Sequence, residues 1–232
     1  MPEVIFSGPE GRIEGRFHKN ENKNAPAALV LHPHPKHGGT MNNKVVYNIY
    51  HAFVRNGFSV LRFNFRGVGR SQGKFDNGVG ELSDAATALD WLQLQNQDAS
   101  TFWISGFSFG AWIAMQLLMR RPELEGFVTV SPPANMYDFN FLSPCPSSGL
   151  ILQGDQDSIV PVEDVTKLAT KLSSQKNSRL DFRVIHGGDH FFRNHMGELV
   201  TNLDEYISSH VKEPGKRSRV KPDRRRRQLP AA

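Results

Sequence analysis

Cysteine is nearly absent from this sequence: Cys145, in "SPCPSS", is the only one among 232 residues. One thiol cannot build a disulfide framework, and with no second cysteine nearby it cannot form a metal knuckle. Cys145 is read as incidental, with a thiol nucleophile as the alternative. Long apolar runs are missing as well. No segment approaches the roughly 18 apolar residues that a membrane span needs, and the opening "MPEVIFSGPEGRIEG" has no basic start followed by an apolar stretch. A cytoplasmic protein is expected.

A charge excess is also lacking over most of the length. The formal net charge is +5, yet from Lys212 onward "KEPGKRSRVKPDRRRRQLPAA" holds nine Lys or Arg against two acids, which leaves residues 1–211 at −2. Proline, glycine and like charges give residues 212–232 no apolar face to bury, so this tail is expected to be disordered. A solvated extension is favoured over a polybasic contact with nucleic acid or anionic lipid.

What remains, 38% hydrophobic overall and about 211 residues long, suits one α/β domain. Eight β-rich runs recur: "VIFSG", "GRIEGRFHK", "AALVLHP", "FSVLRFNF", "TFWISGF", "LEGFVTVSP", "GLILQGD" and "LDFRVIHGG". Helical periodicity is read at 43–56, 81–96, 109–121, 162–174 and 191–210, with Leu82, Ala85, Ala86, Leu89 and Leu92 marking one apolar stripe. Two leading strands without helices, then alternation, predict a mostly parallel eight-stranded sheet with helices on both faces.

In "ISGFSFGAW" a strand turns directly into a helix at Ser108, between Gly106 and Gly110. A serine hydroxyl is a poor nucleophile unless it is held clear of the backbone beside a base, and a tight strand-to-helix elbow holds it so. Glycines two positions to either side leave room where a side chain would meet the neighbouring strand or helix. The Phe109 amide, at the helix N-terminus, is then placed to donate to an oxyanion.

Such an elbow requires an acid after a later strand and a histidine after the last. After "GLILQ" the loop "GDQDSIVPVED" offers Asp155 and Asp157, either of which could orient a histidine or merely shape the turn. After "LDFRVI" come His186 at the strand end, His190 on the following loop and His195 inside the last predicted helix, and loop placement favours His190. Serine, acid and histidine in this order, each at a strand end, meet the requirements of a triad. A second oxyanion donor is sought in "HPHPKHGGTMNNK"; because Pro33 and Pro35 have no N–H, only His32 and His34 can supply one there, and His34 is better placed. A rival reading gathers His32, His34 and His37 around zinc, which the lack of a carboxylate and the presence of Lys36 disfavour. The glycines of "FRGVGRSQGKF" do not have phosphate-loop spacing and are read as a structural loop.

These motifs together, with "FNFRGVGRS", "GDQDSIVP" and "GGDHFF", resemble the α/β-hydrolase superfamily over about residues 4–211. "HPHPKHGGTMNNKVV" narrows the likeness to small lidless bacterial serine hydrolases described as carboxylesterase- or thioesterase-like. The resemblance implies Ser108 as nucleophile, His190 as base, the Asp of Gly-x-x-Asp-x-x-Val-Pro, which lands on Asp157, and oxyanion amides at Phe109 and His34. The departure is "HPHP" in place of the commoner His-Gly. The implied reaction is hydrolysis of a small ester or thioester through an acyl-enzyme, with no metal or organic cofactor. Alternatives are a peptidase or amidase with the same triad, or a binding protein on a hydrolase scaffold. "PANMYDFNFLSPCPSS" is too short for a helical cap, so an open site is expected, with Phe107, Phe109, Met136, Tyr137, Phe139 and Phe141 as its candidate lining.

Overall fold

The computed structural model describes residues 2–175 and 179–211. The basic tail, 212–232, lies outside the described residues. Strands β1 (Glu3–Gly8), β2 (Gly11–His18), β3 (Ala27–Leu31), β4 (Ser59–Phe63), β5 (Phe102–Phe107), β6 (Leu124–Val130), β7 (Ser148–Gly154) and β8 (Leu180–Ile185) form one sheet in the order β1-β2-β4-β3-β5-β6-β7-β8. β1 and β2, and β2 and β4, pair antiparallel; every other pair is parallel. This is the predicted eight-stranded, mostly parallel sheet.

Helices α1 (Lys44–Arg55) and α5 (Met196–His210) cover one face, and α2 (Val79–Gln95), α3 (Phe109–Leu118) and α4 (Val162–Ser173) cover the other. The period-two alternation of strands divides the core accordingly. In β3, Ala27, Leu29 and Leu31 enter the cluster beneath α2 to α4, while Ala28 and Val30 enter the one beneath α1 and α5. Both faces are dry, which is why "AALVL" reads as an unbroken apolar run.

Three helix boundaries differ from the expected ones by two residues or more. α2 begins at Val79 because the Glu81 carboxylate accepts from the Asp76 and Gly78 amides, fixing the turn two residues earlier. α3 ends at Leu118. α5 starts at Met196 instead of 191, since buried Phe192 has φ 51°, outside the helical region, and His195 becomes the residue that flanks the helix instead of lying inside it. Residues 186–195 therefore stay as a loop at the carboxyl ends of β7 and β8, where open α/β sheets place their sites. Between β6 and β7, residues 131–147 contain no helix, so this segment forms no helical cap over that edge.

Candidate active site

Ser108 is the single residue between β5 and α3. Its φ of 54° and ψ of −122° lie where only glycine is comfortable, a strain of order 1–3 kcal/mol. Packing holds it there. The Ser108 amide donates to the Val130 carbonyl at 2.9 Å. A Cβ on Gly106 would stand 2.2 Å from the Gly110 carbonyl oxygen, and one on Gly110 would stand 2.5 Å from the carbonyl oxygens of Leu31 and His32. The two glycines thus let α3 press against β5 and β3 together.

The Ser108 Oγ lies 3.2 Å from Nε2 of His190, and Nδ1 of His190 lies 2.7 Å from Oδ2 of Asp157. All three residues are buried. Asp157 is saturated with donors: the Ile159 and Val160 amides donate to Oδ1 at 2.9 and 2.8 Å, and the Gln153 amide donates to Oδ2 at 3.0 Å. Burial works against its charge, but the hydrogen bond and charge of His190, followed by the Val160 and Ile159 amides, outweigh it and hold its pKa below the ordinary carboxylate value. The other aspartate goes elsewhere. Asp155 accepts from His186 Nδ1 at 2.8 Å and from the Gly187 amide at 2.7 Å, a second pair on the surface. The structure thus brings Ser108, His190 and Asp157 together, and leaves Asp155, His186 and His195 out.

The loop after β3 is built around His32. Its Nδ1–H donates to the Pro33 carbonyl at 2.6 Å, and its Nε2 accepts from the Phe65 amide at 2.9 Å. Burial drops its pKa to about 3, so the ring is neutral. With both nitrogens engaged, His32 is a strut of the loop and cannot also serve as a zinc ligand. Among the described residues no three His, Cys, Asp or Glu are placed to hold a metal ion. Beyond it, His34 accepts from the Lys36 amide, packs 5.0 Å from the Phe109 ring, and has its pKa lowered by burial and by His37 and Lys36. Gly39 closes the turn, since a Cβ there would lie 2.1 Å from the Pro33 carbonyl oxygen. Farther along, Met41 donates its amide to Asn64 Oδ1 at 2.8 Å and its carbonyl accepts from buried Arg62.

His34 and Phe109 line a cleft of about 540 Å³ together with Ser108, His190, Met136 and Tyr137. Of the expected lining, Phe109, Met136 and Tyr137 are present; Phe107, Phe139 and Phe141 are not, and Pro133, Ile159 and Phe191 are added. Phe107 is fully buried beneath the site, its ring 5.0 Å from that of His190, while Phe139 belongs to the core. Cys145 is buried, its thiol pKa pushed up by burial, and it does not line the cleft.

Two supporting groups escaped the sequence reading. Gln153 is fully buried, and its amide reaches the Val160 carbonyl as well as Asp157. A glutamine facing into an otherwise apolar strand, "LILQGD", was the available signal. The second is His32, which had been weighed only as a donor or ligand. The loop "FRGVGRSQGKF" is structural, as read: Arg66 forms a buried, two-pronged ion pair with Asp84 of α2, and Ser71 bridges the Glu14 amide and the Asn64 carbonyl.

The family model of X-Pro dipeptidyl-peptidase (S15 family) matches residues 19–183. An uncharacterized protein of Rickettsia prowazekii is 59% identical over 211 residues, covering 89% of each chain. An α/β hydrolase of unknown function from Agrobacterium tumefaciens superposes with a TM-score of 0.88 at 53% identity, over 92% of this chain and all of that one. An α/β serine hydrolase without a lid from Xanthomonas campestris superposes with a TM-score of 0.80 at 31% identity, over 90% of this chain and 94% of its own.

Proposed function

The chain belongs to the α/β serine hydrolases of the X-Pro dipeptidyl-peptidase (S15) family, and from that premise we propose that it hydrolyses carboxylic esters or thioesters through an acyl-enzyme on Ser108. The observation that carries this reading is the unbroken chain of contacts from Ser108 Oγ to His190 to Asp157 at the mouth of an open cleft.

In the proposed reaction His190 Nε2 takes the Ser108 proton as Oγ attacks the substrate carbonyl, whose electron pair moves onto oxygen. The Phe109 and His34 amides receive that oxyanion, each such donor being worth roughly 3–4 kcal/mol in the transition state. Collapse expels the alcohol or thiol, which leaves with the proton from His190. Water then attacks the acyl-enzyme with His190 again as base, releasing the acid and restoring Ser108. Asp157 keeps Nδ1 protonated, so that Nε2 is the free base, and it stabilises the imidazolium that forms twice per cycle.

The family match also supports a peptidase reading. Against it, the cleft offers a peptide amino terminus imidazoles and amides, with no carboxylate among the described lining residues to pair with the ammonium, which favours the ester. Labelling with a fluorophosphonate, read by intact mass spectrometry, tests the nucleophile: one adduct is expected on the wild type and none on Ser108→Ala. A panel of acyl esters, thioesters and X-Pro peptides then separates the two substrate classes. An adduct on the Ala variant, or turnover of peptides alone, would remove the proposal.

A further inference from the structure

The cleft shares a wall with a second cavity of about 500 Å³. Asn43 and Phe191 line both, and the second is completed by Lys44, Val45, Arg193 and Met196. Among the described residues no carboxylate lines either one. Lys44 is exposed at the start of α1 and forms no ion pair with a described residue. Arg193 lies over the Phe191 ring at 5.4 Å, with Asp189 3.6 Å from its Nε and its side chain 73% exposed. The second cavity is thus apolar along Phe191, Val45 and Met196 and carries two cationic groups, Lys44 and an Arg193 that is paired at its Nε with Asp189.

Its side of the site has a chemical meaning. In acyl transfer the protonated imidazole gives its proton to the departing oxygen or sulfur, so the leaving group must lie on the histidine side of the nucleophile. Phe191 and Arg193 continue the loop that carries His190. We propose that the alcohol or thiol portion of the substrate carries an anionic group, a carboxylate or a phosphate, that sits by Lys44 and Arg193 while its carbon stem lies over Phe191. The inference rests on the acyl transfer at Ser108 proposed above and adds the charge and the side of the substrate. Exposed charges act over about a Debye length, roughly 10 Å at 0.1 M salt, so the preference must weaken with ionic strength.

The test uses acetate esters of ω-hydroxyalkanoic acids of two to eight carbons, each compared with its neutral methyl ester, so that the reach of the cavity is scanned. At low salt the wild type should favour at least one anionic ester. The ratio of kcat/KM for that ester to its neutral partner should fall at least about fivefold in Lys44→Glu or Arg193→Glu and about twentyfold in the double variant, and should shrink in 0.5 M salt. Binding of the same pair to Ser108→Ala, by calorimetry, should show the anionic preference without turnover and lose it when the two charge reversals are added. An unchanged ratio in the double variant, or equal binding of both esters to Ser108→Ala, overturns the inference. Absence of turnover by the wild type strikes at the hydrolase reading instead, and the calorimetric ratio still decides this one.

Discussion

Oδ2 of Asp157 lies 2.7 Å from Nδ1 of His190, both side chains shut away from solvent. Asp155, two residues earlier, is turned onto the exposed ring of His186. If the buried contact sets the histidine tautomer, Asp157→Asn should cut kcat by roughly 10⁴, whereas Asp155→Asn should change it by less than about threefold. Steady-state hydrolysis of a short p-nitrophenyl ester measures both. The opposite ranking would transfer the orienting role to the surface pair.

Ser108 supports a prediction about stability as well as rate. Removing its hydroxyl in Ser108→Ala should abolish roughly four or more decades of activity but keep the Cβ in a conformation that disfavours it. Ser108→Gly should be equally inactive yet more stable than the Ala variant by about 1 kcal/mol, because only glycine adopts φ 54°, ψ −122° without strain. At ordinary helix and strand positions the order is reversed. Urea unfolding of the two variants decides the matter; an Ala variant as stable as the Gly one would mean that the elbow stores no strain.

Much of this was legible from sequence because each element repeated its message at several levels. "AALVL" is unbroken apolar sequence because β3 is central and covered on both faces. Ser108, His190 and the two aspartates stood at strand ends, so chain order alone brought them to one edge. The choice between Asp155 and Asp157 depended on side-chain direction one and three residues past β7, which the residues themselves left open and only the resemblance weighted. The start of α5 was missed because a buried aromatic at positive φ, Phe192, looks in sequence like the apolar face of a helix. Gln153 and His32 act through buried polar contacts, the first with Asp157 and Val160 and the second with Pro33 and the distant Phe65, and no periodicity marks such partners.

His32 makes acid stability testable. An unfolded histidine takes up its proton near pH 6.5, whereas His32 in the fold titrates at about 3. Between these values the unfolded chain binds the extra proton, so this contribution is fully present above about pH 6.5 and declines as pH falls toward 3. The limiting slope from one such group is about 1.4 kcal/mol per pH unit. Asp157, whose pKa is lowered below the usual carboxylate value, adds its own loss only at more acid pH. Urea unfolding at several pH values between 4.5 and 6 should therefore give a steeper decline for wild type than for His32→Gln, whatever the absolute stability of the variant. Parallel slopes would show that the ring is protonated in the fold.

The open edge of the sheet sets a limit on the acyl chain. Residues 131–147 form no helix over the cleft, and its rim is made by half-exposed side chains, Met136 at 53% and Ile159 at 44%. A chain that fits among Phe109, Tyr137 and Met136 gains roughly 0.8 kcal/mol per buried methylene, and the cleft of about 540 Å³ must also hold the ester group itself. Beyond that length each added methylene remains in water and contributes nothing to transition-state binding. kcat/KM for p-nitrophenyl esters should therefore rise over the short chains, reach its maximum at short to medium length, and stay flat or fall out to sixteen carbons, with no step at the micellar limit. Measuring the series below and above that limit is decisive, because a maximum at the longest chains together with a jump at micelle formation would require a closable cover that residues 131–147 do not form.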